Sequence, residues 1–130
     1  MMKDSGVESC LLKQIEKKEI KAKKFGFYWE HFHQLFDQIQ SECIEIQQAW
    51  DNQDMPNLEE EIGDLIQAAV SLAVFCKLDP RQTLLKSIDK FDKRYEAVVK
   101  LAQQDGLENL HGQSFDKLIH YWSLAKKGRA

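Results

Sequence analysis

Apolar residues recur at intervals of three and four through most of the chain, a spacing that is typical of α-helices with one face turned to a core. Two prolines and six glycines interrupt this pattern near the points where helices would begin or end, and Gly26 marks the end of the first. We therefore predict helices over residues 8–24, 29–50, 57–77, 80–104 and 115–127, which indicates an all-α fold.

Two of these helices indicate how the bundle is assembled. The second has one apolar stripe, made of Trp29, Phe32, Phe36, Ile39, Cys43, Ile46 and Trp50. The third is apolar nearly all round from Leu65 onward, as expected for a central helix that neighbours or a second subunit cover. Because short loops join helices of about 20 residues, we predict antiparallel packing in a helical bundle. The wide apolar cover of the third helix favours a dimer.

The starts of three helices carry capping signals. Asn57, followed three residues later by Glu60, predicts a capping box at the third helix. Asp79 and Pro80 predict an N-cap and the first residue of the fourth helix, and Ser114 predicts the cap of the fifth.

The composition of the chain fits one compact domain. Of its 130 residues, 43% are hydrophobic, and we predict a single helical domain over residues 11–127 with tails at 1–10 and 128–130. The 21 acidic and 18 basic residues are mixed along the chain, which disfavours a nucleic-acid or membrane surface. The longest apolar run, residues 68–76, is too short to span a bilayer.

The cysteines bear on the compartment. Cys10, Cys43 and Cys76 form an odd set without a CxxC motif, so they indicate neither a disulfide framework nor a zinc ribbon. Cys43 lies in the apolar stripe and is interpreted as a small core residue. With no apolar leader segment at the N-terminus, we expect a reducing, cytoplasmic location.

The strongest candidate site is a set of four acids in two pairs, each with i,i+3 spacing: Glu42 with Glu45, and Glu61 with Asp64. Residues three apart share a helix face, so two adjacent helices would aim four carboxylates at one point. Their repulsion would be severe without a cation. Because all the donors are oxygen atoms, Mg²⁺ or Mn²⁺ suits them better than Zn²⁺, and a phosphate chain is the expected client of such an ion.

The alternative is two ordinary acidic pairs on solvated helix faces, since Glu is a common helix former. The position of Glu61 argues against it. On a helical projection Glu61 lies between Ala68 and Leu72, inside the apolar arc, where an unpaired carboxylate is costly. Glu42 and Glu45 fall on the flank of the apolar stripe, where they could face a neighbouring helix without entering the core.

Two further pairs at i,i+4 spacing supply positive charge. Lys90 and Arg94 flank the apolar stripe of the fourth helix and could grip phosphate oxygens; alternatively they form a solvated face with Asp89, Asp92 or Glu96. Trp122 and Lys126 could stack on a base and neutralise a phosphate, although such a tryptophan is commonly a core residue.

Several segments together resemble one family. SECIEIQQAW followed by NLEEEIGDLIQAAVSLA resembles the ExxE...ExxD signature of MazG-type nucleoside triphosphate pyrophosphohydrolases. KAKKFGFYW, LDPRQTLLKSIDKFDKRYEAV and FDKLIHYWSLAKK resemble further family segments in the same order. The likeness covers residues 11–127 and is strongest to the C-terminal half of two-domain MazG proteins.

The resemblance implies an all-α, four-helix-bundle-like core that is assembled as a homodimer or a dimer of dimers. It also implies hydrolysis of an NTP or dNTP to the monophosphate and pyrophosphate. It implies Mg²⁺ bound by Glu42, Glu45, Glu61 and Asp64, and nucleotide contacts from the following residues: Lys90, Arg94, Trp122 and Lys126. The chain departs from the family pattern at Ser41, Asn57, Gln67 and Ile88, where a Glu, Lys, Phe and Asn are usual. These departures bear on rate and substrate choice more than on the chemistry.

The mechanism expected from the resemblance is attack of a metal-activated water on the α-phosphorus. Glu42 or Glu45 would accept the proton, and Lys90 and Arg94 would offset charge on the leaving pyrophosphate. Two other hypotheses stay open. One is a regulatory module that binds nucleotide and Mg²⁺ with little turnover, and the other is a non-catalytic helical dimer that serves as a scaffold.

Overall fold

A computed structural model describes residues 11–128, and within them the fold is all-α, as predicted. Five helices follow one another without any strand in this part of the chain: α1 Leu11–Phe25, α2 Phe32–Asp51, α3 Met55–Phe75, α4 Pro80–Gln104 and α5 Phe115–Lys126. None of the described helices combines the length and apolar composition that a membrane span requires. The residues predicted as the start of the first helix, 8–10, lie outside the described part.

The helices divide into two compact units, with the boundary between Thr83 and Leu84. In the first unit both α1 and α2 pack against α3. Because only residues 52–54 connect α2 to α3, α3 runs back along α2. Ser71, which is buried on α3, donates a hydrogen bond of 2.9 Å to Glu19 and so joins α1 to α3.

The second unit contains most of α4 together with α5. Ala102, Tyr121 and Ala125 are its buried side chains. The hydroxyl of Tyr121 donates a hydrogen bond of 2.5 Å to Asp105 just after α4, and this bond, with burial, raises the pKa of Tyr121. The C-terminal part of α4 is thus covered, whereas Leu84, Ile88, Phe91 and Tyr95 of its predicted apolar stripe are exposed.

The predicted bounds of the last two helices are confirmed to within a residue. Pro80 opens α4 and Asp79 accepts a hydrogen bond from the backbone N–H of Arg81. Ser114 caps α5 by accepting from the N–H of Lys117 at 3.2 Å. Local capping chemistry decides these starts, which is why the sequence reveals them.

Two predicted starts are wrong. The second helix begins at Phe32, after an N-cap at His31, and residues 29–31 belong to the preceding loop. The third begins at Met55, because Asp54 and not Asn57 is the N-cap. The carboxylate of Asp54 accepts the N–H of Asn57 at 3.3 Å, and Pro56 is tolerated in the first turn because its missing N–H would have no helical partner.

The cap at Asp54 gives a direct prediction. Replacing Asp54 with Ala leaves the N–H of Asn57 without its side-chain acceptor, and we expect the free energy of unfolding to fall by about 1 kcal/mol. Urea denaturation followed by circular dichroism measures this. Asn57→Ala is the matched control and should cost much less; the opposite order would return the cap to Asn57.

The face that α2 buries also differs from the prediction. Leu35, Glu42 and Ala49, spaced seven residues apart, form the buried line, with Ile39 and Ile46 half buried beside it. Phe32, Phe36, Cys43 and Trp50 of the predicted stripe are exposed. The assignment of Cys43 to the core is therefore wrong, and so is the placement of Glu42 on a flank outside the core. Packing against α3 therefore buries the positions one residue before those of the predicted stripe: Leu35 and not Phe36, Glu42 and not Cys43, Ala49 and not Trp50.

Candidate metal centre and substrate-binding residues

Three of the four predicted metal ligands converge between α2 and α3. Glu42 and Glu45 project from α2 and Glu61 from α3, and one carboxylate oxygen of each lies within 4.8 Å of the others. In the part of the chain that the structure describes, no other group of three or more His, Cys, Asp or Glu side chains meets this spacing. The two acidic pairs, far apart in sequence, thus come together at the helix interface.

Burial distinguishes the members of this acidic cluster. Glu42 is only 5% exposed, since it occupies the middle of the buried line of α2 between Leu35 and Ala49. Glu45 and Glu61 are half buried, and Asp64 is exposed at the edge. The cluster therefore runs from the helix interface outward to solvent, and a ligand could reach it from the Asp64 side.

The electrostatics of the cluster show how unfavourable four negative charges are at this interface. Burial, hydrogen bonding to Glu45 and the charges of Asp64 and Glu45 raise the pKa of Glu42. Burial is also the largest cause that raises the pKa of Glu61, to about 7; hydrogen bonding to Glu45 and the charges of Glu45, Glu42 and Asp64 add to it. Asp64 is thus near enough to act on the cluster, although it is outside the three closest carboxylates.

These side chains fit a hard divalent cation. Every donor is a carboxylate oxygen, the ligand type that Mg²⁺ and Mn²⁺ prefer. Cys43 follows Glu42 in the sequence, but its side chain is exposed and its sulfur is not among the converging ligand atoms. A bound cation would favour the ionised carboxylates, whereas in its absence the raised pKa values favour protonation.

The pKa of Glu61 predicts a pH-dependent stability in EDTA. Its folded-state pKa of about 7 lies above the ordinary value of 4.5, so between these pH values the folded chain holds a proton that the unfolded chain releases. This contribution to stability is complete below pH 4.5 and is lost as pH rises through 7. We expect the Tm difference between Glu61→Gln and the wild type to grow over this window in favour of the variant, as measured by calorimetry. A difference independent of pH would contradict the raised pKa.

The predicted cations lie in the second unit. Lys90 and Arg94 line a shallow surface cleft of about 440 Å³ on α4, together with Lys86, Asp89 and Lys93. Lys90 is exposed, whereas Arg94 is half buried. Such a group of cations can bind an anion, and a solvated basic face has the same appearance.

Trp122 and Lys126 lie on α5. The ring of Trp122 is half buried and contacts Phe91 of α4, with 5.8 Å between ring centroids. The guanidinium of Arg94 lies over the same ring at 5.8 Å from its centroid, a cation–π contact. Lys126 is exposed in the last turn of the helix. The second unit therefore brings Arg94 and Trp122 together, and Trp122 helps to position the guanidinium.

One feature beside α3 was not predicted from the sequence. Phe27, Tyr28 and Trp29, in the loop after α1, line an open cleft of about 490 Å³ with Gln67 of α3. The signal in the sequence is the run of aromatic residues directly after Gly26. The predicted second helix began at Trp29, so this residue was not expected to lie in the loop with Phe27 and Tyr28.

Comparison with known proteins identifies the family. Residues 30–99 match the model of the MazG nucleotide pyrophosphohydrolase domain, which is more than half of the chain. The chain belongs to the MazG family. The resemblance seen in the sequence is thus confirmed, and the matched residues include the acidic cluster as well as Lys90 and Arg94.

Individual relatives agree with this membership. A nucleoside triphosphate pyrophosphohydrolase/pyrophosphatase MazG of Thermotoga maritima is 36% identical over 107 residues, which are 82% of this chain and 40% of the relative. A nucleoside triphosphate pyrophosphohydrolase of Escherichia coli is 27% identical over 118 residues, 89% of this chain and 44% of the relative. An uncharacterized protein, YabN, of Bacillus subtilis is 34% identical over 71 residues, 55% of this chain and 14% of the relative.

The chain is shorter than these relatives. It spans 44% or less of the length of each of the three. Two of the three carry names that state hydrolysis of nucleoside triphosphates. The names support the prediction that the chain is an enzyme of this class.

Proposed function

We propose that this chain hydrolyses nucleoside triphosphates, NTP or dNTP, to the monophosphate and pyrophosphate with Mg²⁺ as cofactor and Mn²⁺ as a possible substitute. One observation carries the proposal: three carboxylate oxygens from α2 and α3 lie within 4.8 Å of one another in a chain of the MazG family. Acids in such proximity, with raised pKa values, are suited to a cation that a triphosphate can share.

The residues proposed to hold the ion are Glu42, Glu45, Glu61 and Asp64. When bound, the ion would polarise phosphate oxygens and acidify a water molecule. Glu42 of α2 and Glu61 of α3 would supply ligands at the interface of the two helices. Asp64, which is exposed, would supply a ligand on the solvent side. The half-buried Glu45 lies between Glu42 and Glu61, with one carboxylate oxygen of each of the three residues within 4.8 Å of the others.

Proton transfer is assigned to Glu42 or Glu45, whichever keeps a free oxygen when substrate is bound. A carboxylate placed within hydrogen-bond reach of the attacking water can accept its proton in the transition state. Glu42 and Glu45 both belong to the converging carboxylates at which the ion would hold that water, so either one could lie within this reach.

Lys90 and Arg94 are proposed as catalytic and substrate-binding residues that offset charge on the leaving pyrophosphate. Support comes from their spacing of one helical turn and from the resemblance of this helix to the family segment. Trp122 and Lys126 are proposed as further substrate contacts. Since the guanidinium of Arg94 lies over the ring of Trp122, this tryptophan can also act by orienting Arg94.

The test is an assay of pyrophosphate release from a panel of canonical and damaged NTPs and dNTPs, with Mg²⁺ and with Mn²⁺. We expect turnover that EDTA abolishes and added Mg²⁺ restores. Equilibrium binding of the same nucleotides is measured in parallel. Binding without turnover would support the regulatory module instead, and absence of both would leave the scaffold hypothesis.

We propose that the chain assembles as a homodimer, and that two such dimers could associate into a dimer of dimers. Exposed apolar side chains on α2 and α3 support it, namely Phe32, Phe36, Trp50, Ile62 and Ile66. Exposed apolar surface of this extent is unfavourable in water unless something covers it. Sedimentation velocity over a range of protein concentrations measures the assembly, and a single monomeric species throughout would contradict it.

A cytoplasmic location is proposed as well. Two of the cysteines, Cys43 and Cys76, are free thiols on exposed side chains. Exposed free thiols are typical of proteins in reducing compartments.

A further inference from the structure

The aromatic cleft is a concave surface of the first unit, and none of the four carboxylates of the acidic cluster lines it. Phe27, Tyr28 and Trp29 line it, together with the polar side chains of Lys18, Glu19 and Gln67. Phe27 is 79% exposed and Tyr28 is 55% exposed, although both are large aromatic side chains. Three adjacent aromatic residues open to water are unfavourable, which indicates that something covers them in the functional protein.

The loop that carries these aromatic residues is fixed to the end of α1. The N–H of Gly26 donates to the carbonyl of Lys23 at 3.0 Å, and the N–H of Phe27 donates to the carbonyl of Ala22 at 2.9 Å. These two bonds form a Schellman motif, and Gly26 adopts the positive φ of 100° that the motif requires. The direction in which Phe27 leaves the helix is thereby set by the backbone.

The other end of the loop is fixed to the start of α2. The side-chain oxygen of Gln34 accepts hydrogen bonds from the N–H groups of Glu30 and His31, at 2.9 and 3.0 Å. Between the two anchors, the ammonium of Lys23 lies over the ring of Tyr28 at 5.7 Å. With both ends held, the backbone that carries the aromatic side chains is fixed before any ligand binds, and this lowers the entropy cost of binding.

The cleft adjoins the acidic cluster along α3. Gln67 lies three residues after Asp64, about one helical turn and ~4.5 Å along the axis. The partly buried hydrogen bond between Ser71 and Glu19 holds α1 against α3 one turn further on. Ionic and aromatic binding surfaces therefore follow one another along one helix, in the order in which a nucleotide presents its phosphates and its base.

We propose that the aromatic cleft binds the nucleobase of the triphosphate whose phosphate chain reaches the ion at the acidic cluster. The inference rests on the proposed function and adds the part of the site that recognises the base. Phe27 and Trp29 stack on the base, as aromatic side chains do with any base. Gln67, which carries both a donor and an acceptor, hydrogen-bonds to an edge of the base and so discriminates among bases.

The test compares two probes in equilibrium dialysis with Mg²⁺: ATP, and inorganic triphosphate, which has no base. We expect the wild type to bind ATP more tightly than triphosphate. Phe27→Ala and Gln67→Ala should each weaken ATP binding, Phe27→Ala by about tenfold, because loss of one aromatic stack has an effect of this order. Neither variant should change the binding of triphosphate.

Phe25→Ala is the matched control, because Phe25 is 90% exposed, lies two positions away and does not line the cleft. It should bind both probes as the wild type does. Equal affinity of the wild type for ATP and triphosphate would overturn the assignment while leaving the ion site intact. If the wild type bound neither ATP nor triphosphate, the proposed function itself would be overturned.

A different occupant of the cleft would also be detected. If Phe27→Ala shifts the sedimentation coefficient towards the monomer and leaves ATP affinity unchanged, the aromatic residues contact a second copy of the chain and the base assignment is wrong. Phe27 is exposed, so the substitution removes little buried surface and the variant is expected to fold; circular dichroism checks this.

Discussion

Replacing Glu61 with Gln, or Asp64 with Asn, is expected to lower pyrophosphate release by on the order of 10³-fold or more while the helical fold is kept. Each substitution removes one negative charge and one ionic ligand from the acidic cluster but changes the side-chain volume little. A metal ion that stabilises developing charge contributes several kcal/mol to a transition state, so weaker or misplaced binding of the ion costs a large factor in rate. Initial rates at saturating Mg²⁺, with circular dichroism of each variant, make the measurement.

The same helix offers matched controls. Glu59 and Glu60 are exposed acids beside Glu61, outside the acidic cluster. Glu59→Gln and Glu60→Gln should therefore retain activity within about twofold, since surface substitutions of this kind have small effects. Retained pyrophosphate release in Glu61→Gln would refute the assignment of Glu61 as a metal ligand.

Addition of Mg²⁺ to metal-free protein is expected to raise the Tm by on the order of 10 °C once the ion exceeds its Kd a hundredfold. At that ratio, binding to the folded state alone contributes about 2.7 kcal/mol, and for a chain of this size such a gain corresponds to roughly that shift. The physical cause is that the ion offsets repulsion among carboxylates that burial has already made costly to ionise. Calorimetry in EDTA and in graded Mg²⁺ gives the shift.

Glu42→Gln separates this effect from general salt stabilisation. In EDTA the variant is expected to melt at or above the wild-type temperature, since a neutral amide replaces a buried acid that must otherwise be protonated or repelled. In Mg²⁺ its Tm should rise much less than that of the wild type. Equal Mg²⁺ shifts in the variant and the wild type would show that the ion acts elsewhere.

The prediction of the helices succeeded where local chemistry decides the outcome. Asp79, Pro80 and Ser114 mark helix starts through hydrogen bonds and dihedral preferences that involve only nearby residues. It failed at Asn57, because Asp54 offers an equivalent capping carboxylate three residues earlier. Two competing local signals of similar strength leave the choice to the packing of the helix that follows.

The convergence of three of the four predicted carboxylates has a similar cause. The i,i+3 spacing within each pair is a property of one helix, and it placed Glu42 with Glu45 and Glu61 with Asp64 on shared faces. Their convergence followed once α2 and α3 packed side by side. The sequence did not predict that Glu42 is the most buried of the four, because the apolar stripe of α2 suggested a different buried face.

The sequence alone determined the helical class of this chain, most of its helix ends, its resemblance to the MazG family and the i,i+3 spacing of two acidic pairs. Only the tertiary structure decided which side of α2 faces α3, how far Glu42 is buried, how strongly the pKa of Glu61 is raised, and that the aromatic residues after Gly26 form a cleft with Gln67. The physical reason is that helix formation and capping depend on residues within about one turn. Burial and desolvation depend instead on what another helix brings against a side chain, and this is settled only by packing.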